Sequence, residues 1–301
     1  MQLGRYEEIL IDLARKSDRL MVMTAENRAA IRNLPGIIPE RFIDVGICEQ
    51  TMIGAAAGLA LRGRTPVVHA LATFLAFRAY EFIRTDVGIP GLPVKLVGAV
   101  AGFLSDGNGP THQALEDLSL MRGIPGMHVF CPADEDELVG ALPTLIENPA
   151  PWYVRYNVLP AAVPHTAPFQ VGKAEVLAQG KDVTLLTYGF LLREAAKAKE
   201  LLEAQHLSVG LVNMRMLKPL DEAAVLAAAK QSSLLVTIED HFQTGGLYSA
   251  LGETMLKHRQ SARVLPIALE ERWFKPGLLP DVLEHEGFTG AKLAQRIVRA
   301  L

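Results

Sequence analysis

Glu49 is the residue of this sequence whose surroundings point most directly to chemistry. It lies between an apolar, strand-like run that ends near Val45 and a helix-like segment of small apolar residues that extends to Leu61. Burying a carboxyl group at such a junction costs several kcal/mol unless the group has a partner or takes up a proton. This carboxyl group is therefore either satisfied by a neighbouring group or used in proton transfer.

A loop rich in small and polar residues supplies a second set of candidates. Residues 102–118 combine glycines and a proline, which favour a tight turn, with Asp, Asn, Thr and His side chains. The loop follows a predicted strand at 94–99 and so lies at the carboxyl edge of the predicted sheet, where open α/β folds bind ligands. A predicted helix over 112–122 places His112 at a helix start, where backbone N–H groups favour an anion. A histidine that only caps the helix is the alternative.

Three aromatic residues form a stripe on a third segment. Phe74, Phe77 and Tyr80 recur every third residue and so share one face of a helix predicted over 74–84. Such a stripe usually belongs to the core, which we expect of at least one ring. The alternative is a wall for a flat heterocycle, because offset stacking contributes about 0.5–1.5 kcal/mol beyond area burial.

Arg155 ends a predicted strand at 152–155. A guanidinium group at a strand end can pair with a carboxylate of the protein. Its planar fork is equally suited to hold a phosphate, and the sequence leaves both alternatives open.

The elements that must position these residues alternate between strands and helices. This alternation predicts an α/β fold of two doubly wound domains with mostly parallel sheets. The predicted strands are 20–23, 41–45, 65–69, 94–99, 127–130, 152–155, 182–188, 208–213, 234–239 and 264–269. The predicted helices are 6–15, 49–61, 74–84, 112–122, 134–146, 191–205, 221–229, 246–258 and 291–301.

A stretch without periodicity divides this pattern into two domains. Residues 158–169 contain three prolines at four-residue spacing, which is typical of an extended linker. We therefore predict one domain over 1–157 and a second over 170–301.

Composition narrows the class of protein. The net charge of −3 and the pI near 6.3 favour neither nucleic acid nor anionic membranes as partners. The two cysteines are too few for a disulfide framework or a zinc cluster. No apolar run reaches the roughly 18 residues that span a bilayer, and the first residues do not resemble a secretion signal. We expect a soluble, cytoplasmic protein.

Four short motifs together resemble the transketolase family. They are VGICEQ at 45–50, ATFLAF at 72–77, GPTHQ at 109–113 and IEDH at 238–241, and they occur in the family's order. The resemblance covers nearly the whole chain, first the pyrimidine-binding domain and then the family's C-terminal domain. It implies a thiamine diphosphate enzyme that transfers a two-carbon ketol unit from a ketose or ketose phosphate to an aldehyde.

The resemblance also implies roles for the residues around the cofactor. Glu49 matches the glutamate that hydrogen-bonds N1′ of the aminopyrimidine and takes part in catalysis. Phe74 and Phe77 match rings packed around the pyrimidine, and Tyr80 shares their face. Glu26 falls where the family has an aspartate near the cofactor.

A further set of residues matches substrate contacts. His112 matches a position, also catalytic, that contacts sugar hydroxyls or the carbonyl, and Arg155 matches a phosphate contact. Arg5 resembles a second phosphate contact, and His69 joins the predicted substrate residues. Asn108 replaces the family's common aspartate, which helps to recognise the hydroxyl group of the acceptor. Asparagine keeps a hydrogen bond but loses the charge, so we expect non-standard sugars or aldehydes as substrates.

The family's diphosphate-binding motif is missing from this sequence. Full-length members carry an earlier domain with Gly-Asp-Gly and an asparagine that hold Mg²⁺, a hard cation that needs oxygen ligands. This sequence contains no Gly-Asp-Gly. The resemblance therefore implies a partner subunit, the N-terminal half of a split transketolase, that holds the diphosphate and Mg²⁺ (or Ca²⁺), with no metal ligand in this chain. We expect an α2β2 assembly with self-dimerisation through the small-residue helix 51–61, although that helix could also pack within the chain.

Three other functions stay open. The first is the β subunit of a 2-oxo acid dehydrogenase first component, which should lack the loop at 109–113. The second is a deoxyxylulose-phosphate synthase, which has such a loop but normally forms one long chain. The third is a non-catalytic scaffold subunit, which has no reason to retain Glu49, Phe74 and His112. Residues 239–241 are predicted to form a structural turn and a subunit contact.

Overall fold

The computed structural model describes residues 3–301 and contains two β-sheets flanked by helices. The strands are β1 (Leu20–Thr24), β2 (Phe42–Asp44), β3 (Thr65–Leu71), β4 (Lys95–Ala99), β5 (His128–Phe130), β6 (Trp152–Arg155), β7 (Glu175–Ala178), β8 (Val183–Thr187), β9 (Val209–Asn213), β10 (Met216–Lys218), β11 (Leu234–Phe242) and β12 (Val264–Leu269). The α-helices are α1 (Arg5–Lys16), α2 (Leu34–Ile37), α3 (Glu49–Leu61), α4 (Tyr80–Phe82), α5 (Asp117–Gly123), α6 (Glu135–Glu147), α7 (Leu192–Glu203), α8 (Glu222–Gln231), α9 (Leu247–Lys257), α10 (Leu279–Glu286) and α11 (Gly290–Ala300). No helix within the described residues is both long and apolar enough to cross a membrane.

The first sheet has the strand order β10-β5-β6-β4-β3-β1-β2. Its neighbouring strands are parallel except β10, which pairs antiparallel with β5. Apolar residues of α1 and α6 cover one face, and those of α3, α5 and the segment 74–88 cover the other. Because both faces are covered, the strands consist of almost continuous apolar runs.

The second sheet has the order β12-β11-β8-β9-β7, in which only β7 is antiparallel to its neighbour. Helices α7 and α11 cover one face, while α8 and α9 cover the other. One apolar core runs from the α3 and α5 side of the first sheet to the α8 and α9 side of the second. The predicted class, two mostly parallel α/β units, is confirmed.

Most predicted elements match, and α3 begins and ends at the predicted residues. Asp134 caps α6, because its Oδ1 accepts a hydrogen bond from the backbone N–H of Glu137 at 3.0 Å. The edge strands β7 and β10 and the helices α2 and α10 were not predicted. The two strands are only four and three residues long, too short for a periodicity of their own.

Two predicted helices are wrong in detail. The helix predicted over 74–84 consists of two π-helical segments, Phe74–Arg78 and Ile83–Gly88, on either side of α4. The helix predicted over 112–122 begins only at Asp117. Pro110–His112 form a separate 3₁₀ turn, and Gln113 is extended.

The boundary between the units is less simple than the predicted one. Residues 156–174 contain neither helix nor strand, in agreement with the expected linker at 158–169. After β9, however, the chain returns to the first sheet and adds β10 to its edge. The domain limits at 157 and 170 therefore stay a prediction.

His165 joins the linker to both units. Its Nε2 lies 2.9 Å from Asp134 at the start of α6, and its Nδ1 lies 2.7 Å from Glu175 on β7. These hydrogen bonds raise the pKa of His165 to about 10. Burial opposes ionisation of Glu175, but its hydrogen bonds outweigh burial and lower its pKa to about 2. The imidazolium thus bridges a carboxylate at the start of α6 and a carboxylate on β7.

This bridge predicts a defined pH dependence of stability. The pKa of His165 is higher in the folded chain than its ordinary value of 6.5, so its contribution is complete below pH 6.5 and disappears as the pH rises towards 10. The low pKa of Glu175 removes its contribution as the pH falls from 4.5 towards 2. The loss of unfolding free energy in His165→Gln, measured with urea, should therefore be largest between about pH 4.5 and 6.5.

His258→Gln is the matched control, because His258 pairs with Glu222 at a more exposed position. We expect it to cost less at every pH. A cost of His165→Gln that stays constant from pH 5.5 to 9.5 would contradict the bridge.

Candidate functional site

Glu49 forms the first turn of α3 at the carboxyl edge of the first sheet, and it is only 2 % exposed. Its Oε2 accepts a hydrogen bond from Arg78 Nη1 at 2.8 Å. Of the two alternatives left by the sequence, a partner is therefore present. The pair is not sealed, because 39 % of the Arg78 side chain remains exposed.

Arg78 connects Glu49 to the aromatic segment and to the polar loop. Its guanidinium carbon lies 4.3 Å from the centroid of the Phe74 ring, an arrangement in which the cation is attracted to the ring face. The Phe74 ring meets the imidazole of His112 edge to face, with centroids 5.2 Å apart. Glu49, Phe74, Arg78 and His112 thus form one continuous group, the Glu49 cluster.

The π-helical backbone separates the aromatic residues of the predicted stripe. Leu75 and Ala76 are buried in the core, while Phe74 is half-buried and reaches the cluster. Phe77 packs against the core and against a small group of alanines beside the polar loop. Tyr80 also packs on the core, and its hydroxyl donates to the carbonyl of Leu120 at 3.4 Å. The expectation that at least one ring belongs to the core is confirmed.

The polar loop at 102–118 and the residues just before it follow an unusual backbone path. Val100 has a φ of 61° and Asp106 a φ of 20°. A β-branched residue in the left-handed region is rare and costs free energy that the surroundings must supply. Gly102 has a φ of 59°, and a Cβ atom there would overlap the carboxylate of Asp240. The loop therefore depends on contacts with the second sheet.

His112 and Asn108 are reachable from solvent on this loop. His112 is half-buried, and its Nδ1 lies 2.9 Å from the hydroxyl of Thr111. The predicted position at a helix start is wrong, because α5 begins five residues later. Asn108 is exposed, and its Nδ2 donates to the carbonyl of Ser105 at 3.0 Å. Among the described hydrogen bonds, none involves the amide oxygen of Asn108.

Arg155 is an internal ion-pair partner rather than a phosphate contact. It is 6 % exposed. Its Nε and Nη2 donate to the two oxygens of Asp117 at 2.9 and 2.6 Å, and its Nη1 donates to Asp240 at 2.7 Å. All three nitrogens are thus bonded within the protein, which corrects the expected contact with substrate.

The two carboxylates of this ion-pair group differ in their acidity. Burial raises the pKa of Asp117, but Arg155 outweighs burial and brings it below its usual range. Burial raises the pKa of Asp240 to about 6, which Arg155 only partly offsets. One guanidinium group therefore compensates Asp117 more completely than Asp240.

His69 is also corrected as a substrate contact. It is 3 % exposed, its Nε2 lies 2.8 Å from the Tyr6 hydroxyl, and its Nδ1 lies 3.2 Å from the carbonyl of Met23. Burial lowers the pKa of His69 to about 4. The neutral ring is enclosed beneath α1, where it cannot reach a substrate.

Arg5 and Glu26 lie outside the Glu49 cluster. Arg5 forms ion pairs with Asp136 and Glu135 at the start of α6. Glu26 is exposed beyond the end of β1, where its backbone N–H donates to Asp44 Oδ1 at 3.1 Å. No described contact joins either residue to the cluster, so their roles stay predictions.

One group of side chains has the spacing of a metal site. Single ligand atoms of Glu137, His165 and Glu175 lie within 4.8 Å of one another. His165 is protonated at neutral pH because its pKa is raised to about 10. In the structure the His165 ring is paired with Asp134 and Glu175 as an ion pair.

Sequence reasoning missed Arg78 and misjudged residues 239–241. The available signal for Arg78 was a single cation within an aromatic, apolar segment that begins 25 residues after Glu49. Residues 239–241 lie inside β11 rather than in a turn, and all three side chains are buried within the chain. The signal there was an apolar strand that continues directly into charged residues.

An α/β architecture of two sheets, with a buried glutamate at the edge of the first, defines the class of protein. The chain matches the family model of the transketolase pyrimidine-binding domain over residues 6–159 and that of the transketolase C-terminal domain over residues 172–293. It belongs to the transketolase family, as the motifs predicted.

Several relatives cover the chain along its whole length. The 6-deoxy-6-sulfo-D-fructose transketolase subunit SqwH of Clostridium sp. (strain MSTE9) is 36 % identical over 299 residues, which is 98 % of this chain and 91 % of the relative. The 1-deoxy-D-xylulose-5-phosphate synthase of Dictyoglomus thermophilum is 35 % identical over 302 residues, again 98 % of this chain but 48 % of the relative. The chain thus spans about half of that longer relative.

Solved structures show the same relationship. A split-gene transketolase described as an inactive beta4 tetramer superimposes with a TM-score of 0.88 at 31 % identity, covering 99 % of this chain and 96 % of the other. The transketolase of Campylobacter jejuni superimposes with a TM-score of 0.80 at 20 % identity, covering 98 % of this chain and 46 % of the other. At 20 % identity, the likeness to the Campylobacter jejuni transketolase shows only a shared fold.

The internal role of Arg155 predicts a large effect on stability. Arg155→Met should lower the free energy of unfolding by about 3–5 kcal/mol, because Asp117 and Asp240 would stay buried without their counter-ion. Urea denaturation followed by circular dichroism measures the loss.

Arg5→Met is the matched control. Its ion pairs are exposed to solvent, so we expect a loss of less than about 1 kcal/mol. Similar losses in the two variants would contradict the internal role of Arg155.

Proposed function

We propose that this chain is the pyrimidine-binding and C-terminal half of a split transketolase. With thiamine diphosphate, the enzyme would transfer a two-carbon ketol unit from a ketose or ketose phosphate to an aldehyde. The main support is the Glu49 cluster, which groups a buried carboxylate, an aromatic ring and an imidazole at the carboxyl edge of the first sheet. Similarity to split transketolase subunits along nearly their whole length adds to it.

The residues of the cluster fit the aminopyrimidine end of the cofactor. Among the described residues, no donor contacts Glu49 Oε1, so this oxygen can accept a hydrogen bond from a ring nitrogen. The half-buried Phe74 offers an apolar ring for a heterocycle to pack against. The bound cofactor supplies the nucleophilic carbon that attacks the donor carbonyl.

The side chains of the cluster have distinct roles in this proposal. Glu49 holds a proton between its carboxylate and the ring nitrogen, and its exclusion from water strengthens that hydrogen bond. Arg78 serves as the counter-ion of Glu49, and its partly exposed side chain can move aside for the cofactor. His112 hydrogen-bonds an oxygen of the substrate from the other side of Phe74.

A partner subunit would complete the site. Two relatives that are matched over 91 % and 96 % of their own length are named as a transketolase subunit and a split-gene transketolase. We therefore assign the diphosphate and Mg²⁺ to a separate N-terminal subunit.

The exposed face of α3 supports the proposed self-association. Ala55 and Gly58 leave it free of bulky side chains, and Ile47 and Leu61 beside it are 64 % and 72 % exposed. Small side chains allow close packing of two helices, and an apolar face of this kind is typical of a subunit contact. An α2β2 assembly follows from one such contact together with one N-terminal subunit per chain.

A second candidate is a reaction like that of 1-deoxy-D-xylulose-5-phosphate synthase. The relative from Dictyoglomus thermophilum, which is 35 % identical, favours it. The two reactions differ in their product, because the name of that relative specifies 1-deoxy-D-xylulose 5-phosphate. An assay for that product, run beside the assay for ketol transfer, distinguishes the two.

The first prediction of this proposal concerns the partner and Glu49. The purified chain alone should bind thiamine diphosphate poorly and show no turnover, whereas addition of an N-terminal transketolase subunit should produce activity. In that complex Glu49→Gln should reduce kcat by at least about a hundredfold, because the amide cannot hold the proton on the ring nitrogen. Turnover is measured from the aldehyde released by the donor.

Glu200→Gln is the control, since Glu200 is an exposed residue of α7. Circular dichroism should show the same fold for the original chain, for Glu49→Gln and for Glu200→Gln. Efficient turnover by the lone chain, or by the Glu49→Gln complex, would refute the proposal.

The second prediction concerns Asn108 and the choice of acceptor. Asn108→Asp replaces the amide that donates to Ser105 with a carboxylate that can only accept. The ratio of kcat/KM between 2-hydroxyaldehydes and aldehydes without that hydroxyl should rise by about tenfold, because a charged acceptor forms the stronger hydrogen bond.

Asn108→Ala separates charge from loop geometry, because it removes the bond to Ser105 without adding a carboxylate. It should not favour the hydroxylated aldehydes. The prediction is wrong when Asn108→Asp leaves the ratio unchanged or when Asn108→Ala shifts it equally.

A further inference from the structure

We propose that Asp240, in the second sheet, is a positioning residue for the substrate loop, which we define as residues 100–113. Asp240 would hold this loop in the conformation that presents Asn108 and His112 to the substrate. This inference rests on the function proposed above and assigns a part of it to the C-terminal domain.

Asp240 contacts the start of the loop directly. Its Oδ2 accepts a hydrogen bond from the backbone N–H of Phe103 at 3.3 Å. The same oxygen occupies the space that a Cβ atom of Gly102 would need. The carboxylate and the backbone therefore fit each other only while residue 102 is a glycine.

Asp240 also reaches the far end of the loop through Arg155. Its Oδ1 accepts from Arg155 Nη1 at 2.7 Å, and Arg155 binds both oxygens of Asp117 at the start of α5. Arg155 Nη2 also lies 3.4 Å from the carbonyl of Ala114. Because the backbone N–H of Gly102 donates to the same carbonyl at 3.0 Å, one network closes the loop at both ends.

The loop needs such support because its backbone is strained. Val100 and Asp106 have φ values of 61° and 20°. Residues in such conformations persist only where the surrounding structure determines them. Other contacts with the second unit help, since Gln113 Nε2 donates to the carbonyl of Phe274 at 3.0 Å and the ring of Phe103 packs against Phe274.

A contribution to stability alone accounts poorly for the presence of a carboxylate at position 240. Asp240 is 4 % exposed and shares its counter-ion with a second buried carboxylate. Buried ion pairs are often no more stabilising than apolar residues of similar volume. Burial raises the pKa of Asp240 to about 6, so the side chain is still ionised at neutral pH. Asp240 supplies a charged acceptor that is directed at the backbone of the loop, and an apolar residue in its place could not do so.

Asp240→Asn and Glu239→Gln form a matched pair for the test. Glu239 precedes Asp240 in β11 and is equally buried, but its oxygens accept from the backbone N–H groups of Leu247 and Tyr248 in α9. Hydrogen–deuterium exchange on the purified chain comes first. Asp240→Asn should speed exchange of the amides at 101–113 by about tenfold, whereas Glu239→Gln should speed it only at the start of α9.

Kinetics of the complex with the N-terminal subunit come second. Asp240→Asn should lower kcat/KM for the acceptor aldehyde by about tenfold or more, because a displaced loop misplaces His112 and Asn108. The concentration of thiamine diphosphate that gives half-maximal activity should not change, and Glu239→Gln should keep the kinetics of the original protein. Gly102→Ala, which presses on Asp240 from the side of the loop, should reproduce both effects and replaces Asp240→Asn should that variant not fold.

Each outcome decides the matter. Unchanged exchange at 101–113 overturns the inference, whatever the activity. Faster exchange with an unchanged kcat/KM for the acceptor also overturns it, because the loop would then be held without consequence for the substrate. A complex of the original chain without any ketol transfer refutes the proposed function instead, and the exchange measurement still shows separately whether Asp240 holds the loop.

Discussion

The structure depends on one guanidinium group that compensates two buried carboxylates. Arg155, at the end of β6, binds Asp117 at the start of α5 and Asp240 in β11 of the other sheet. Removing Arg155 would leave both carboxylates without a counter-ion away from water. The two sheets are thus fixed relative to each other by charge as well as by the apolar core that they share.

A second arginine–carboxylate pair has the opposite character. Arg78 and Glu49 are also within hydrogen-bonding distance, but 39 % of the Arg78 side chain is exposed, whereas Arg155 is enclosed. Arg78 bonds only one oxygen of Glu49, whereas Arg155 bonds both oxygens of Asp117. The Glu49 pair therefore keeps one oxygen for a further donor, although the distances in the two pairs are alike.

Much of this arrangement could be predicted from the sequence. The contacts that could not be predicted were missed for physical reasons. Apolar runs predicted the buried parallel strands, and the small residues after Glu49 predicted α3 to the residue. The role of Arg155 stayed open because Asp240 lies 85 positions away, and periodicity carries no information about such partners. Spacing of three predicted one helical face for the aromatic residues, but the segment is π-helical. Phe74 contacts Arg78 and His112, whereas Phe77 and Tyr80 pack against the core. The same limit explains why His69 resembled a substrate contact, since its partner Tyr6 comes from α1.

The conformation of the substrate loop and the chemistry it presents are controlled separately. Its path is determined at Gly102, where the carboxylate of Asp240 leaves no room for a side chain, and this contact lies in the interior. Asn108 lies at the exposed part of the loop and is bonded only within the turn, to the carbonyl of Ser105. If the proposed function holds, a substitution at 108 would alter the group offered to a substrate without disturbing the contact between Asp240 and Gly102. Substrate choice would then be the more adjustable property, because a change at the surface would leave the buried charges as they are.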